Sequence, residues 1–479
     1  MTKAEISSSN ASANEHSRLL LKRTSESESI NNNEEEDYEE DPHAFGKPIN
    51  WLECLAHLLR GTMGTGMLSM PYAFYHAGIV GGPLFMLFLS FISVYCMNLL
   101  LRANHYMCKR YNFRRLDYGN LSSHIFQHCH FSFLRKNHKV GKNTVNIFLI
   151  LTQLGFCTAY FTFISTTLQE VLKEKSDNFV RITDLVLFIP ILGLCLIRSL
   201  SFLAILTSIA NVLLFLGTII IFEQLFVGIQ SPTRLPAFAS PLQWPIFYGN
   251  AIYSVEGIGL VLPLENQMKK PHQFPNVLNF GLTFAFGVFI LFGFMGYDRY
   301  GSDVLTPISL NLGTKPIFDI VKIMFAISMY ISYAIQFYVP VYLCMPWIHK
   351  KFEKYGTKIL REYAFRTILV ALTAVAAAAI PQLGLFVALV GSVASTMLAL
   401  ILPAFLHLLV TVIKNKEYPK KINRVIVITD YVIVVFGILC GIMGTTVAIM
   451  QIVDAYIPTN SSPLMNATTV APYSSTFTS

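Results

Sequence analysis

From Trp51 to Val453 the chain returns repeatedly to runs of about 20 apolar residues, the length a helix needs to cross a hydrocarbon layer roughly 30 Å thick. Of 479 residues, 53% are hydrophobic and only 13% charged, so the surplus apolar surface must face lipid. The runs predict spans at 51–76, 79–101, 144–171, 184–200, 203–228, 245–265, 276–297, 316–344, 363–380, 382–413 and 425–453. The fold class is an all-α integral membrane protein of about 11 transmembrane helices.

Orientation follows from lysine and arginine, which short cytoplasmic loops retain. With the N-terminus inside, the cytoplasmic segments hold 28 of the 36 Lys and Arg residues, and the outer loops hold six. Those six are Lys173, Lys175, Arg181, Arg234, Arg299 and Lys315, while Arg60 and Lys322 fall within or at the edge of spans. An odd number of spans puts the C-terminus on the extracellular or lumenal side. There Asn460-Ser461-Ser462 and Asn466-Ala467-Thr468 are N-glycosylation acceptors in a tail, residues 454–479, without Lys or Arg. The eight cysteines all fall in predicted spans or inner loops, so no disulfide framework is expected. The net charge of +8 is a topology signal, and no nucleic-acid partner is implied.

Residues 1–46 form an acidic cytoplasmic tail with almost nothing to bury, which predicts disorder. It lacks the apolar core of a signal peptide, so the first span must direct insertion. Glu15-His16-Ser17-Arg18-Leu19-Leu20 fits the acidic dileucine pattern read by sorting adaptors, an address for endosomes or lysosomes. The Ser- and Glu-rich stretch Thr24–Ser29 reads as a solvated linker, with phosphorylation the alternative. The remainder, 47–453, is the transmembrane domain.

The chemistry concentrates in the first span, where Gly61, Gly64 and Gly66 interrupt what should be continuous helix. A backbone break in hydrocarbon frees polar groups and is tolerated only where it lines a polar cavity. The second half-helix then offers N–H groups and a positive dipole end to an anion. Thr62, Met63, Gly64, Thr65 and Gly66 are the candidate site for a substrate carboxylate. Close helix packing is the alternative use of these glycines. The sixth span repeats the pattern in Tyr253-Ser254-Val255-Glu256-Gly257-Ile258-Gly259, with Tyr253, Ser254 and Gly257 as candidate binding residues. Two glycine-interrupted spans in corresponding halves point to the binding site of an inverted-repeat transporter, here 5+5 spans plus one.

Ionisable groups in spans need a reason. Glu53, His57 and Arg60 share one helical face at i, i+4 and i+7. His57 carries the one side chain whose unperturbed pKa, about 6.5, lies near physiological pH, and is the first candidate for proton coupling. Glu256 is the second, since a carboxylate among apolar residues holds its proton more readily. The alternative for His57 is a structural hydrogen bond to a neighbouring helix. Glu223, His407 and Asp430 are given no role. His124, His128, Cys129 and His130 cluster in the basic loop after the second span, but without the separated second pair of a zinc site. No metal, no cofactor and no enzyme are expected, since no nucleophile elbow, phosphate loop or catalytic carboxylate pair is present. Tyr160, Tyr253 and Tyr333 are aromatic residues that could line a pocket.

The run His57–Leu68 with Pro71 and Ala77-Gly78 after it resembles the opening helix of the proton-coupled amino acid transporters. Thr152–Cys157, Ser254–Gly259 followed by Leu262–Asn266, Gln336–Pro340 and Leu389–Val393 resemble the same family in the same order, over roughly residues 46–453. The resemblance implies an eleven-helix fold of the LeuT type with helices 1 and 6 broken, coupling to protons with His57 involved, and glycine, alanine or proline as typical substrates. Members occur in the plasma membrane and in lysosomes. The outer loop between the third and fourth spans is shorter here and lacks cysteine, so the family's outer disulfide is not carried over. The expected function is proton-coupled symport of small neutral amino acids. The alternatives are a sensor that signals through the N-terminal tail, and a sodium-coupled or facilitative carrier that keeps the site without a role for His57.

Overall fold

A computed structural model describes residues 48–113, 116–174, 177–197, 200–313, 315–354, 357–417 and 424–456. The sorting residues Glu15, Leu19 and Leu20 and the acceptors Asn460 and Asn466 lie outside them. Among the described residues the regular structure is helical apart from one isolated β-bridge between Ile49 and Met268. In chain order the α-helices of eight residues or more are α1 (Trp51–Thr62), α2 (Thr65–Tyr75), α3 (Gly81–Tyr111), α4 (Tyr118–His128), α5 (His138–Val171), α6 (Asp177–Cys195), α7 (Leu200–Val227), α8 (Trp244–Val255), α9 (Ile258–Gln267), α10 (Phe274–Tyr300), α11 (Pro316–Lys351), α12 (Lys358–Ala379), α13 (Leu383–Val390), α14 (Leu402–Glu417) and α15 (Arg424–Tyr456).

Eight helices among the described residues are long and apolar enough to cross a membrane. The other three predicted spans are made of shorter pieces: α1 with α2, α8 with α9, and α6, whose apolar part runs Ile182–Cys195. The second span outruns its apolar stretch. It was expected to end at 101, but α3 continues to Tyr111 because Asn104 and His105 on its polar extension both find the buried Glu265 of α9. The helix stops at Asn112 in the left-handed region, φ 59°, which asparagine tolerates better than other side chains.

The tenth span also departs from a plain helix. Between α13 and α14 the turns widen over Gly391–Ser395 and Met397–Ile401, and Thr396 Oγ1 donates to the Gly391 carbonyl at 3.0 Å. Wide turns loosen the backbone ladder, so other elements supply donors. The Tyr118 hydroxyl donates to the Leu398 carbonyl at 3.1 Å and Cys96 Sγ to that of Leu400 at 4.0 Å.

α8 and α2 sit at the centre, with α10, α3, α13 and the widened turns around them. α8 crosses the widened turns at a glycine pair, Gly249 and Gly391, where a Cβ on either residue would overlap carbonyl backbone. α15 lies outside and turns Val425, Ile428, Val432, Leu439 and Ile442 outward. An apolar face of that kind suits lipid rather than water. The eight cysteines are free.

Candidate substrate site between two broken helices

α1 ends at Thr62, Met63 and Gly64 are non-helical, and α2 begins at Thr65. α8 ends at Val255, Glu256 and Gly257 are non-helical, and α9 begins at Ile258. Both predicted interruptions are therefore present, and they face each other. A Cβ added to Gly257 would lie 3.1 Å from the Thr62 methyl, and the Thr65 hydroxyl is 3.0 Å from that of Tyr253.

The freed backbone groups are only partly re-satisfied. Ser93 on α3 donates to the Val255 carbonyl at 3.2 Å, and the Met67 N–H turns back to the Gly64 carbonyl at 3.1 Å. Thr65 and Gly66 open α2, so their N–H groups precede any intrahelical acceptor. At the second break the Glu256 carboxylate accepts from the Gly259 N–H, at the start of α9. Glu256 is buried, 5% exposed, and no cation pairs with it among the described residues.

The three glycines of the first span do different work. At Gly66 a Cβ would sit 2.8 Å from Ser254 Cα, so this glycine lets α2 and α8 touch backbone to backbone. Gly61 packs under the Leu260 side chain. Gly64 is crowded by nothing closer than the Tyr160 hydroxyl at 3.9 Å, so the space beside it belongs to the break itself. Close packing thus accounts for Gly61 and Gly66 and leaves Gly64 unexplained by packing.

Of the tyrosines, two reach the break and one does not. Tyr253 bonds Thr65 and meets Phe156 edge-on at 4.7 Å. Tyr160 faces Gly64 and is hydrogen-bonded to Gln336 on α11. Tyr333 is committed elsewhere, its hydroxyl 2.8 Å from Thr373 on α12. Ser254 lines the contact with Gly66, but its hydroxyl donates to the Asn250 carbonyl at 2.8 Å. Phe156, Ser93 and Gln336 were not singled out as site residues from sequence. A lone Gln in an apolar span was the available signal for Gln336.

The Glu53, His57, Arg60 face is intact but not internally paired. Glu53 accepts the Asn50 N–H at 2.7 Å and so caps α1, and Arg60 Nη1 reaches the Thr207 carbonyl of α7 at 2.9 Å. His57 lies exposed between them. His407 and Asp430, given no role from sequence, meet at 2.6 Å, and Tyr95 donates to the same carboxylate at 3.2 Å. Burying that acid is tolerable because both oxygens are engaged. On α4, the His128 ring lies 3.9 Å from that of Tyr111 and the His124 ring 4.2 Å from that of Phe113, both tilted, and among the described residues no group of three metal-ligating side chains forms.

Residues 47–450 match the family described as transmembrane amino acid transporter protein. The chain belongs to that family. It is 30% identical over 427 residues to the proton-coupled amino acid transporter-like protein pathetic of Drosophila melanogaster, covering 87% of each chain. To the amino acid transporter AVT3C of Arabidopsis thaliana it is 28% identical, covering 85% of this chain and 92% of that one. Among solved structures it is similar to a manganese transporter of Eremococcus coleocola, with a TM-score of 0.46, 15% identity, and 88% of this chain and 91% of that one covered. MhsT in complex with L-phenylalanine gives a TM-score of 0.44, with 13% identity and 84% and 97% covered. The relatives matched in sequence are transporters, not enzymes, and the chain is a multi-pass membrane protein of an amino acid transporter family.

Proposed function

We propose that this transporter moves small neutral amino acids of the glycine, alanine and proline type together with protons. The observation that carries the reading is the meeting of the two breaks, with Thr62, Thr65 and Tyr253 at the contact and Gly64 and Glu256 beside it. In this reading the Thr65 and Gly66 N–H groups take the substrate carboxylate at the positive end of α2, with Met63 and Gly64 forming the approach. Tyr253 and Tyr160 bound the side-chain space. Glu256 takes the substrate ammonium or a proton, and Ser254 and Gly257 hold the second break against the first. His57, on the exposed face of α1, exchanges protons with the cytoplasm. Proton coupling draws support from the name of the Drosophila relative.

The proposal includes eleven crossings with a 5+5 inverted repeat plus one, a cytoplasmic N-terminus, and a lumenal or extracellular C-terminus glycosylated at Asn460 and Asn466. It sits in the plasma membrane or in endolysosomes, reached through sorting adaptors that read Glu15, Leu19 and Leu20. Uptake of labelled glycine, alanine and proline with simultaneous current, at outside pH 5.5 and 7.5 with and without sodium, is the direct test. Uptake and inward current that rise at acid pH and ignore sodium are the expected result. Sodium-dependent uptake without proton current would overturn it, as would full acid-driven uptake by His57→Ala for the role given to that residue.

A further inference from the structure

The first span carries a second histidine, at its opposite end. His76 closes α2 and is 2% exposed, yet among the described residues neither ring nitrogen has a hydrogen-bond partner. An imidazole always bears at least one N–H, and leaving it unpaired in a dry interior costs free energy. The ring is held edge-on between Tyr72, at 4.6 Å, and Tyr75, at 5.0 Å, and Tyr75 leans in turn on Tyr297 of α10. On the other side of this cage Tyr72 packs on Gly384, whose carbonyl accepts from Asn250 Nδ2 while Asn250 Oδ1 is left without a partner. A layer with unpaired donors and acceptors is one that water would satisfy if it could enter.

Among the described residues no counter-charge pairs with the ring either. α13 and the turn Ile308–Asn311, both packed on α2, carry no ionisable side chain, and α3 brings none in its first turns. α10 brings Asp298, whose Oδ2 accepts the Gln230 N–H at 2.7 Å while its Oδ1 is buried without a hydrogen-bond partner, and Arg299, whose guanidinium donates to the Gln224 carbonyl. α5 brings Glu170, which is paired with Lys322 at 3.5 Å, and Tyr160, bonded to Gln336. α8 brings Tyr253, bonded to Thr65, and Tyr248, bonded to Thr396. An imidazolium in this cage would be desolvated with no carboxylate hydrogen-bonded to it.

We propose that His76 is a proton-loading site on the outer side of the transporter, reached by water when that end opens and emptied when it closes to the dry state seen here. Protonation and opening are then linked: the protonated ring belongs to the open state, so acid outside raises the population that can accept substrate, and closure returns the proton for passage inward. α2 is about 16 Å long at 1.5 Å per residue, which sets His76 a membrane leaflet away from the break. The inference rests on the symport reading for its direction, because the His76 end is outer only if the N-terminus is cytoplasmic.

Two measurements test it and fail separately. First, the ratio of alanine uptake at outside pH 5.5 to that at 7.5 is compared between wild type and His76→Phe, which fills the cage without a titratable group. The ratio should fall below about twofold in the variant, with His76→Gln as the second variant if the first does not reach the membrane. A wild-type ratio in either variant overturns the proposal, whereas no acid activation in wild type counts against symport itself. Second, Ala77→Cys, at a fully buried neighbour, is labelled by a membrane-impermeant methanethiosulfonate at pH 6.0 and 7.5, with and without His76→Phe. Dividing by the double variant removes the thiol's own pH dependence. With His76 present the ratio of labelling rates at pH 6.0 and 7.5 should exceed that of the double variant by about threefold or more. Equal ratios overturn the proposal whatever ion drives transport.

Discussion

α2 is buried without interruption from Thr65 to Pro71, whereas α1, one break away in the same span, buries only Cys54, Leu58 and Thr62. The composition of the two halves does not explain this, because α1 is as leucine-rich as a core helix. The neighbours do. α2 is enclosed by α10, α8, α3, α13, α5 and Ile308–Asn311, while α1 packs mainly on α10 and touches α9, with Arg60 as its clasp to α7. In lipid, moving an apolar side chain from tails to protein gains little dewatering, so close packing and hydrogen bonds decide which half is held. One half of the span is packed on every side as a wall of the site, and the other is held on fewer sides.

Four substitutions would break or sharpen that contrast. The largest effect is expected for Gly66→Val, because the added carbons meet Ser254 backbone that cannot retreat. It should cost about 3 kcal/mol or more and abolish a monodisperse, cooperatively melting protein in detergent. A wild-type melting curve would mean that α2 is not a fixed wall. Next is Tyr253→Phe, which leaves the buried Thr65 hydroxyl unpaired, lowering stability by about 1–3 kcal/mol on the same assay. Gly64→Ala sharpens the contrast from the other side. The methyl has room, so melting should hold, but it occupies the break beside Tyr160, and uptake should fall about tenfold, near 1.4 kcal/mol of binding. Unchanged uptake would remove Gly64 from the site. The smallest effect is Arg60→Ala, which releases α1 from the Thr207 carbonyl. It should cost about 1 kcal/mol and speed hydrogen exchange in residues 51–62 without changing exchange in 65–75.

Much of this fold is legible in the chain because hydrocarbon leaves few options. Apolar runs of spanning length become helices, and glycines with a mid-span acid mark where two of them break. Both breaks lie where Gly64 and Gly257 put them, and Glu53, His57 and Arg60 share a face as their spacing requires. The extension of α3 to Tyr111 was not legible, because it depends on Glu265, some 160 residues away, being within reach of Asn104 and His105. The widened turns after Gly391 were hidden for a similar reason. Their register is tolerated by a glycine contact with α8 and by donors from Tyr118 and Cys96.

Residue type and spacing by themselves determined the class, the family and the two interruptions, since each depends on contacts within one helix or on the thickness of a bilayer. Only the tertiary structure decided which glycine is packing and which is site, that Tyr160 and Tyr253 reach the break while Tyr333 bonds Thr373, that His407 finds Asp430, and that His76 is caged without a partner. Those outcomes depend on which helices cross and at what depth. Distances between elements far apart in the chain set them, and periodicity within an element carries no record of such distances.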